Sequence, residues 1–349
     1  MPGTAKTNLA LTVYATCPSA GEGTEGFSAR LRQVVDWCEQ AGCRGALVYT
    51  DNSLADPWLI AQQAMQYSRG FVPLIAVQPV YQHPFTVARA ISSISLLHGR
   101  AVDLNFVSGG FAADLASLGD RRTHAERYHR LVEYVEVVRR LLTGQRVSFA
   151  GSHYQLASAQ VQATPPDELQ PRMYLSGSSP DSELAARTLG IDRLSYPPPA
   201  AEFAPATTCT GIRIGVIARP EREEAWSAAV QRFPVDDRGR EIARLVSSRS
   251  DSSWQQDLAH RVADVTAPDG DEAATYWLHP FSTYKTFCPY LVGSYAEVGA
   301  ILSEYVRRGI ETLILDTPIS ADDLLHTQAA ISVGLEPVVG LSGRASSCE

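Results

Sequence analysis

The chain has 349 residues, 45% hydrophobic and 19% charged, the balance of a packed globular protein and too apolar for a disordered one. At ~150 residues per domain the length suggests two domains, but a β/α barrel can absorb all of it. A formal charge of −8 excludes nucleic-acid binding through a basic face, and no apolar run approaches the ~18 residues of a membrane span.

Strand and helix patterns alternate along the chain. Asn8 to Tyr14 reads as a buried strand and Phe27 to Gln40 as an amphipathic helix stopped by Gly42. Gly45 to Tyr49 is a second strand, with a helix from about Pro57 to Tyr67. Phe71 to Val77 and Ala101 to Val107 are further strands, separated by a helix at about Pro84 to Leu97. A long helix follows, from about His124 to Leu142. Four βα units in this order imply a parallel sheet with right-handed crossovers.

The second half is less regular. Arg146 to Gln162 reads as a hairpin turning at Gly151-Ser152, Met173 to Leu175 as a short strand and Ser182 to Leu189 as a helix. Ile212 to Ile217 is a strand, followed by a helix from about Glu221 to Gln231. Residues 233 to 290 break the rhythm and read as a loop-rich insertion. A helix at about Tyr295 to Arg308, a strand at Thr312 to Leu315 and a helix at about Ala321 to Val333 close the pattern. Seven or eight strands in βα order favour one closed barrel over two doubly wound domains. The expected domain spans 1–337, with insertions at about 146–162 and 233–290 and a flexible tail at 338–349.

Most simple motifs are absent. Gly21 to Gly26 match G-x-G-x-x-G, but six residues separate Tyr14 from the first glycine, and Glu22 and Glu25 would repel a pyrophosphate. No zinc, P-loop or hydrolase-elbow signature is present, and the six cysteines have no C-x-x-C pair, so no metal is expected. Only two lysines occur, Lys6 and Lys285. Ser176-Gly177-Ser178-Ser179-Pro180 is more informative. It follows a strand and opens a helix, where small residues let backbone N–H groups and hydroxyls approach an anion; a plain helix cap is the alternative.

These segments together resemble the bacterial luciferase-like flavin monooxygenases, closest to their alkanesulfonate branch. The resemblance is carried by P-F-T-V-A-R-A at 84–90, H-G-R-A-V-D-L-N-F-V-S-G-G at 98–110 and T-H-A-E-R-Y at 123–128. V-S-F-A-G-S-H-Y-Q-L at 147–156, S-G-S-S-P at 176–180 and G-I-R-I-G-V-I-A-R at 211–219 complete it. It implies a (β/α)8 TIM barrel with a loop-rich lid before the last βα unit. It also implies a two-component monooxygenase that takes reduced FMN (FMNH2) from an NAD(P)H-dependent flavin reductase and activates O2 at the flavin C4a position. Ser108, Tyr128, Ser178 and Ser179 would hold the phosphate, with Ala76 and Asn105 near the ring and ribityl chain.

The sequence departs from the branch at the substrate end. A loop cysteine falls on Leu54, a histidine on Gly215, a lid arginine on Lys285, a tyrosine on Thr317 and a tryptophan on about Tyr196, while an arginine is retained as Arg213. Arg213, Lys285 and His124 are the candidate catalytic residues, and Leu54, Tyr196, Tyr284 and Thr317 the candidate substrate and lid positions. Lys285 closes an aromatic lid segment from Tyr276 and, with Arg213, suggests a small anionic substrate of specialised metabolism. The alternatives are alkanesulfonate oxidation itself, a deazaflavin (coenzyme F420) hydride-transfer enzyme on the same fold, and a flavin-binding protein without catalysis. A cytoplasmic homodimer or homotetramer is expected, without nucleic-acid or membrane partners.

Overall fold

The computed structural model describes residues 11–19, 24–204, 208–247, 256, 258–261 and 275–335. Eight parallel strands close a barrel: β1 (Thr12–Thr16), β2 (Gly45–Val48), β3 (Leu74–Val77), β4 (Asp103–Phe106), β7 (Met173–Ser176), β8 (Asp192–Ser195), β9 (Cys209–Arg219) and β12 (Thr312–Leu315). The ring closes where Thr12 of β1 pairs with Thr312 of β12. β5 (Val147–Ala150) and β6 (Gln155–Ala159) form the antiparallel hairpin outside the ring.

Period-two alternation decides which side chains fill the barrel. Tyr14, Leu47, Leu74, Tyr174, Leu194 and Ile314 cluster inside it. Their neighbours Val13, Ala15, Ala46, Val48 and Ile75 point outward into the main core under the helices. That layer includes α1 (Thr24–Gln40), α2 (Pro57–Tyr67), α3 (Pro84–His98), the short α4 (Ala112–Ser117), α5 (His124–Leu141) and α6 (Pro180–Leu189). Local signals set the ends: α5 starts on a capping box between Thr123 and Glu126, and α3 stops at Gly99 with φ 60°.

The segment after β9 differs from the loop-rich lid expected for 233–290. β9 runs for 11 residues, and its upper half leaves the ring to pair with β11 (Tyr290–Ser294) in parallel register, Gly215 opposite Tyr290. Between them lie α7 (Arg222–Arg232), α8 (Asp237–Ser247), β10 (Tyr276–Trp277), paired to β11, and α9 (His279–Ser282). The described parts of the insertion therefore carry regular structure, and β11 was not foreseen. The barrel finishes with α10 (Tyr295–Arg307), β12 and α11 (Ala321–Leu335). The expected tail, Lys6, Asn8 to Ala10 of the first expected strand, and Gly21 to Gly23 of the glycine motif lie outside the described residues, whereas Gly26 falls inside α1. No helix among the described residues is long and apolar enough to cross a membrane.

Candidate active site

A cavity of about 220 Å³ opens at the carboxyl ends of the strands, far more than the ~10–15 Å³ that one water needs. In a β/α barrel this end collects the residues that leave each strand. Ala76, Asn105, Ser108, His124, Tyr128, Ser178, Tyr196 and Arg213 all line it, although they come from six separate stretches of sequence.

One end of the cavity is built from small and hydroxyl residues. Gly177 tolerates no side chain: a Cβ there would lie 2.5 Å from the Tyr128 hydroxyl and 2.7 Å from Ser182 Cβ. That close approach brings the loop backbone against α5, leaving Ser178 on the cavity wall. Ser176 donates to Asn105 Oδ1 at 2.8 Å, fixing the amide beside it. Burial pushes the Tyr128 phenol up, against hydrogen bonds with Ser108, Ser179 and Ser182. Ser179 does not line the cavity. It is the buried N-cap of α6, accepting from the Ser182 N–H at 3.2 Å, so the cap reading holds for Ser179 while Ser178 faces the cavity.

The other end is organised around Arg213. Its guanidinium lies 5.7 Å from the centre of the Tyr49 ring and 5.9 Å from that of Tyr196. It donates to the Tyr196 hydroxyl at 3.2 Å and to Asp316 Oδ1 at 3.5 Å. Asp316 Oδ2 accepts from Thr286 at 2.6 Å and Tyr290 at 2.7 Å. Burial pushes the Asp316 carboxyl up, but Arg213 and these two hydroxyls outweigh it and hold it below the usual carboxylate range. Position 215 also has a physical reason to be glycine, because a Cβ there would fall 2.3 Å from the Tyr290 ring. Tyr290 occupies the space beside Gly215 and places its hydroxyl on Asp316.

His124 lines the cavity beside Tyr128, its ring 5.0 Å from the phenol ring, and bonds Asp181 on α6 at 2.7 Å. Asp51, Asp114, Tyr81, Phe111 and Phe287 also line the cavity. Burial, and then Asp51, raises the Asp114 carboxyl above its ordinary value.

Besides Ser179, four expected residues are not brought to the cavity wall. Lys285 pairs with Asp236 at 2.5 Å and is 43% exposed at its side chain, so its charge already has a partner. Tyr284 is exposed, with its ring against Phe287 at 5.6 Å. Thr317 donates to the Cys17 carbonyl at 3.4 Å. Leu54 sits in a turn, its N–H bonded to the Asp51 carbonyl. The residues not foreseen, Tyr49, Asp51, Gln78, Ser176 and Asp316, share one signal: each lies at the last position of a barrel strand or within three residues beyond it.

Comparison with known proteins gives a consistent result. A family model described as luciferase-like monooxygenase matches residues 11–191. The chain is 31% identical over 314 residues to the monooxygenase BtrO of Niallia circulans, named for 4-(gamma-L-glutamylamino)butanoyl-(BtrI acyl-carrier protein), covering 87% of this chain and 91% of that one. In fold it is similar to the oxygenating constituent of 3,6-diketocamphane monooxygenase from Pseudomonas putida in complex with FMN, with TM-score 0.65, 14% identity, and 93% and 97% of the two chains covered. It is also similar to the coenzyme F420-dependent tetrahydromethanopterin reductase of Methanopyrus kandleri, with TM-score 0.57, 12% identity and 94% and 98% coverage. The fold is thus shared by oxygenases and reductases. The relative at 31% identity is a monooxygenase.

Proposed function

The chain belongs to the luciferase-like monooxygenase family and is a flavin-dependent monooxygenase; on that premise we propose that it uses reduced FMN delivered by a separate NAD(P)H-dependent flavin reductase to oxygenate a small polar organic substrate. The observation that carries this reading is one cavity joining a glycine–serine cradle to an arginine–tyrosine end. The cradle fits a phosphate: Gly177 has no room for a Cβ, and Ser108, Tyr128 and Ser178 supply hydroxyl donors on its wall. Ala76 and Asn105 would flank the ring and ribityl chain. When bound, reduced FMN supplies the electrons that activate O2.

The remaining work falls to the chain's own side chains. Phe111, Phe287 and Tyr81 narrow access for water, and Tyr196 and Arg213 orient the polar end of the substrate. The anionic character expected of the substrate loses the support of Lys285, which Asp236 neutralises, and rests on Arg213, which Asp316 partly offsets. The similarity to BtrO favours a second reading, in which the substrate is an acyl group borne on a carrier protein.

The test mixes the reduced-FMN complex with oxygen in a stopped-flow instrument. A monooxygenase delays the return of oxidised-flavin absorbance relative to free reduced FMN. Single-phase reoxidation at the free-flavin rate, or none at all as in a hydride-transfer enzyme, overturns the reading. Oxygenation of a carrier-bound acyl thioester and not of the free acid would select the second.

A further inference from the structure

Arg193 lies on β8, directly beneath the serine loop, and is 6% exposed. Its neighbour Leu194 fills the barrel, so alternation turns Arg193 outward toward the first turn of α6. There Nη1 donates to the Gly177 carbonyl at 3.1 Å and approaches the Ser182 hydroxyl at 3.5 Å. The Gly177 N–H donates to the Leu194 carbonyl at 3.0 Å. Both backbone groups of Gly177 are therefore held by consecutive residues of β8, which fixes the glycine that no side chain could replace and leaves Ser178 on the cavity wall.

The charge of Arg193 is less well satisfied than its hydrogen bonds. Its buried Nε has no hydrogen-bond partner among the described residues. The nearest carboxylate oxygen, Glu183 Oε2, is 3.9 Å away, and Arg187 binds the other oxygen of that carboxylate, Oε1, at 2.6 Å. Asp181, the other acid of the α6 first turn, is 41% exposed at its side chain and paired with His124. The N-terminus of α6 adds its own positive end at the same place. A buried guanidinium set against a helix N-terminus is unfavourable unless an anion lies between or beside them. The loop that both of them meet faces the cavity.

We propose that Arg193 is the positioning residue of the phosphate cradle: it locks Gly177 from below and supplies the positive charge that makes the site prefer FMN to riboflavin. The proposal rests on the FMN reading above. It predicts a loss specific to the phosphate, which a merely structural arginine would not produce.

The full-length chain, R193M and R193K are titrated with oxidised FMN and with riboflavin, following flavin fluorescence. A positive charge fixed beneath the cradle predicts that the wild type binds FMN at least about 10-fold tighter than riboflavin. R193M should weaken FMN by about 10- to 100-fold while moving riboflavin less than about 3-fold. R193K, which keeps the charge without the fork, should fall between. Inorganic phosphate should compete with FMN in the wild type and not in R193M. Equal weakening of both flavins by R193M, or an unchanged preference, overturns the proposal. If R193M does not fold by circular dichroism, R193K decides, and an undiminished preference in it overturns the proposal equally. A wild type that binds both flavins alike would instead defeat the FMN reading itself.

Discussion

Asp316 receives donors from three parts of the chain: Arg213 on β9, Thr286 in the excursion and Tyr290 on β11. Its folded-state carboxyl is lowered, so the native protein binds fewer protons there than the unfolded chain, whose aspartate titrates near ~3.9. The stabilisation is complete above that value and is lost as pH falls through the lower folded value. D316N should therefore lower the urea midpoint by a constant amount between about pH 5 and 8, with the gap to wild type shrinking below about pH 4. A gap that widens in acid would refute the assignment. At the opposite end of the barrel, Asp103 accepts from Tyr14 at 2.5 Å and Arg44 at 2.6 Å, and its side chain is 0% exposed. Asp103→Ala leaves a guanidinium without its counter-charge and should cost about 3–5 kcal/mol. Chemical denaturation measures it, and a loss under about 1 kcal/mol, the worth of an exposed pair, would contradict the reading.

Among the elements, the hairpin shows what was legible and what was not. Its strands and turn were readable because Val147, Phe149 and Tyr154 flank Gly151-Ser152, and the observed strands, Val147–Ala150 and Gln155–Ala159, lie within the expected span. The residue that fastens it was not readable. Glu133, on α5, accepts the N–H groups of Ser152, His153 and Tyr154 at 2.8 to 3.1 Å, a contact across about 20 positions with no local signal. Against the burial that raises it, these bonds hold the Glu133 carboxyl below its ordinary value. E133A should cost on the order of 1.5–3 kcal/mol and speed protease cleavage near Gly151, both followed on the purified protein. Unchanged cleavage would mean that the strand pairing alone holds the turn. The same division runs through the site. The serine loop announces itself by small residues between a strand and a helix, whereas the Arg213–Asp316 contact joins residues 103 positions apart. β11 escaped because Tyr290-Leu291-Val292 is a short apolar run pressed against the next helix, and its pairing is set by the unusual length of β9.

For the molecule as a whole, the unsettled surface is the outer face of α3. Val87, Ala88, Ile91 and Ile94 are buried in the core, as one apolar stripe of a barrel helix should be. Leu96 and Leu97, on its last turn, are instead 69% and 71% exposed. Fully burying a leucine contributes about 1.5–3 kcal/mol, so two such residues on each of two protomers are a substantial part of a dimer contact. Barrel helices run antiparallel to the strands, which places this turn at the amino end of the barrel, away from the cavity at the carboxyl end. Association through it would leave the cradle untouched. We therefore expect a homodimer by light scattering at micromolar concentration, and a monomer from the double variant L96D/L97D with its FMN affinity unchanged. A wild-type monomer under those conditions would show that the two leucines are simply solvated. A variant that loses FMN along with its partner would instead mean that the two ends of the barrel are coupled through the core.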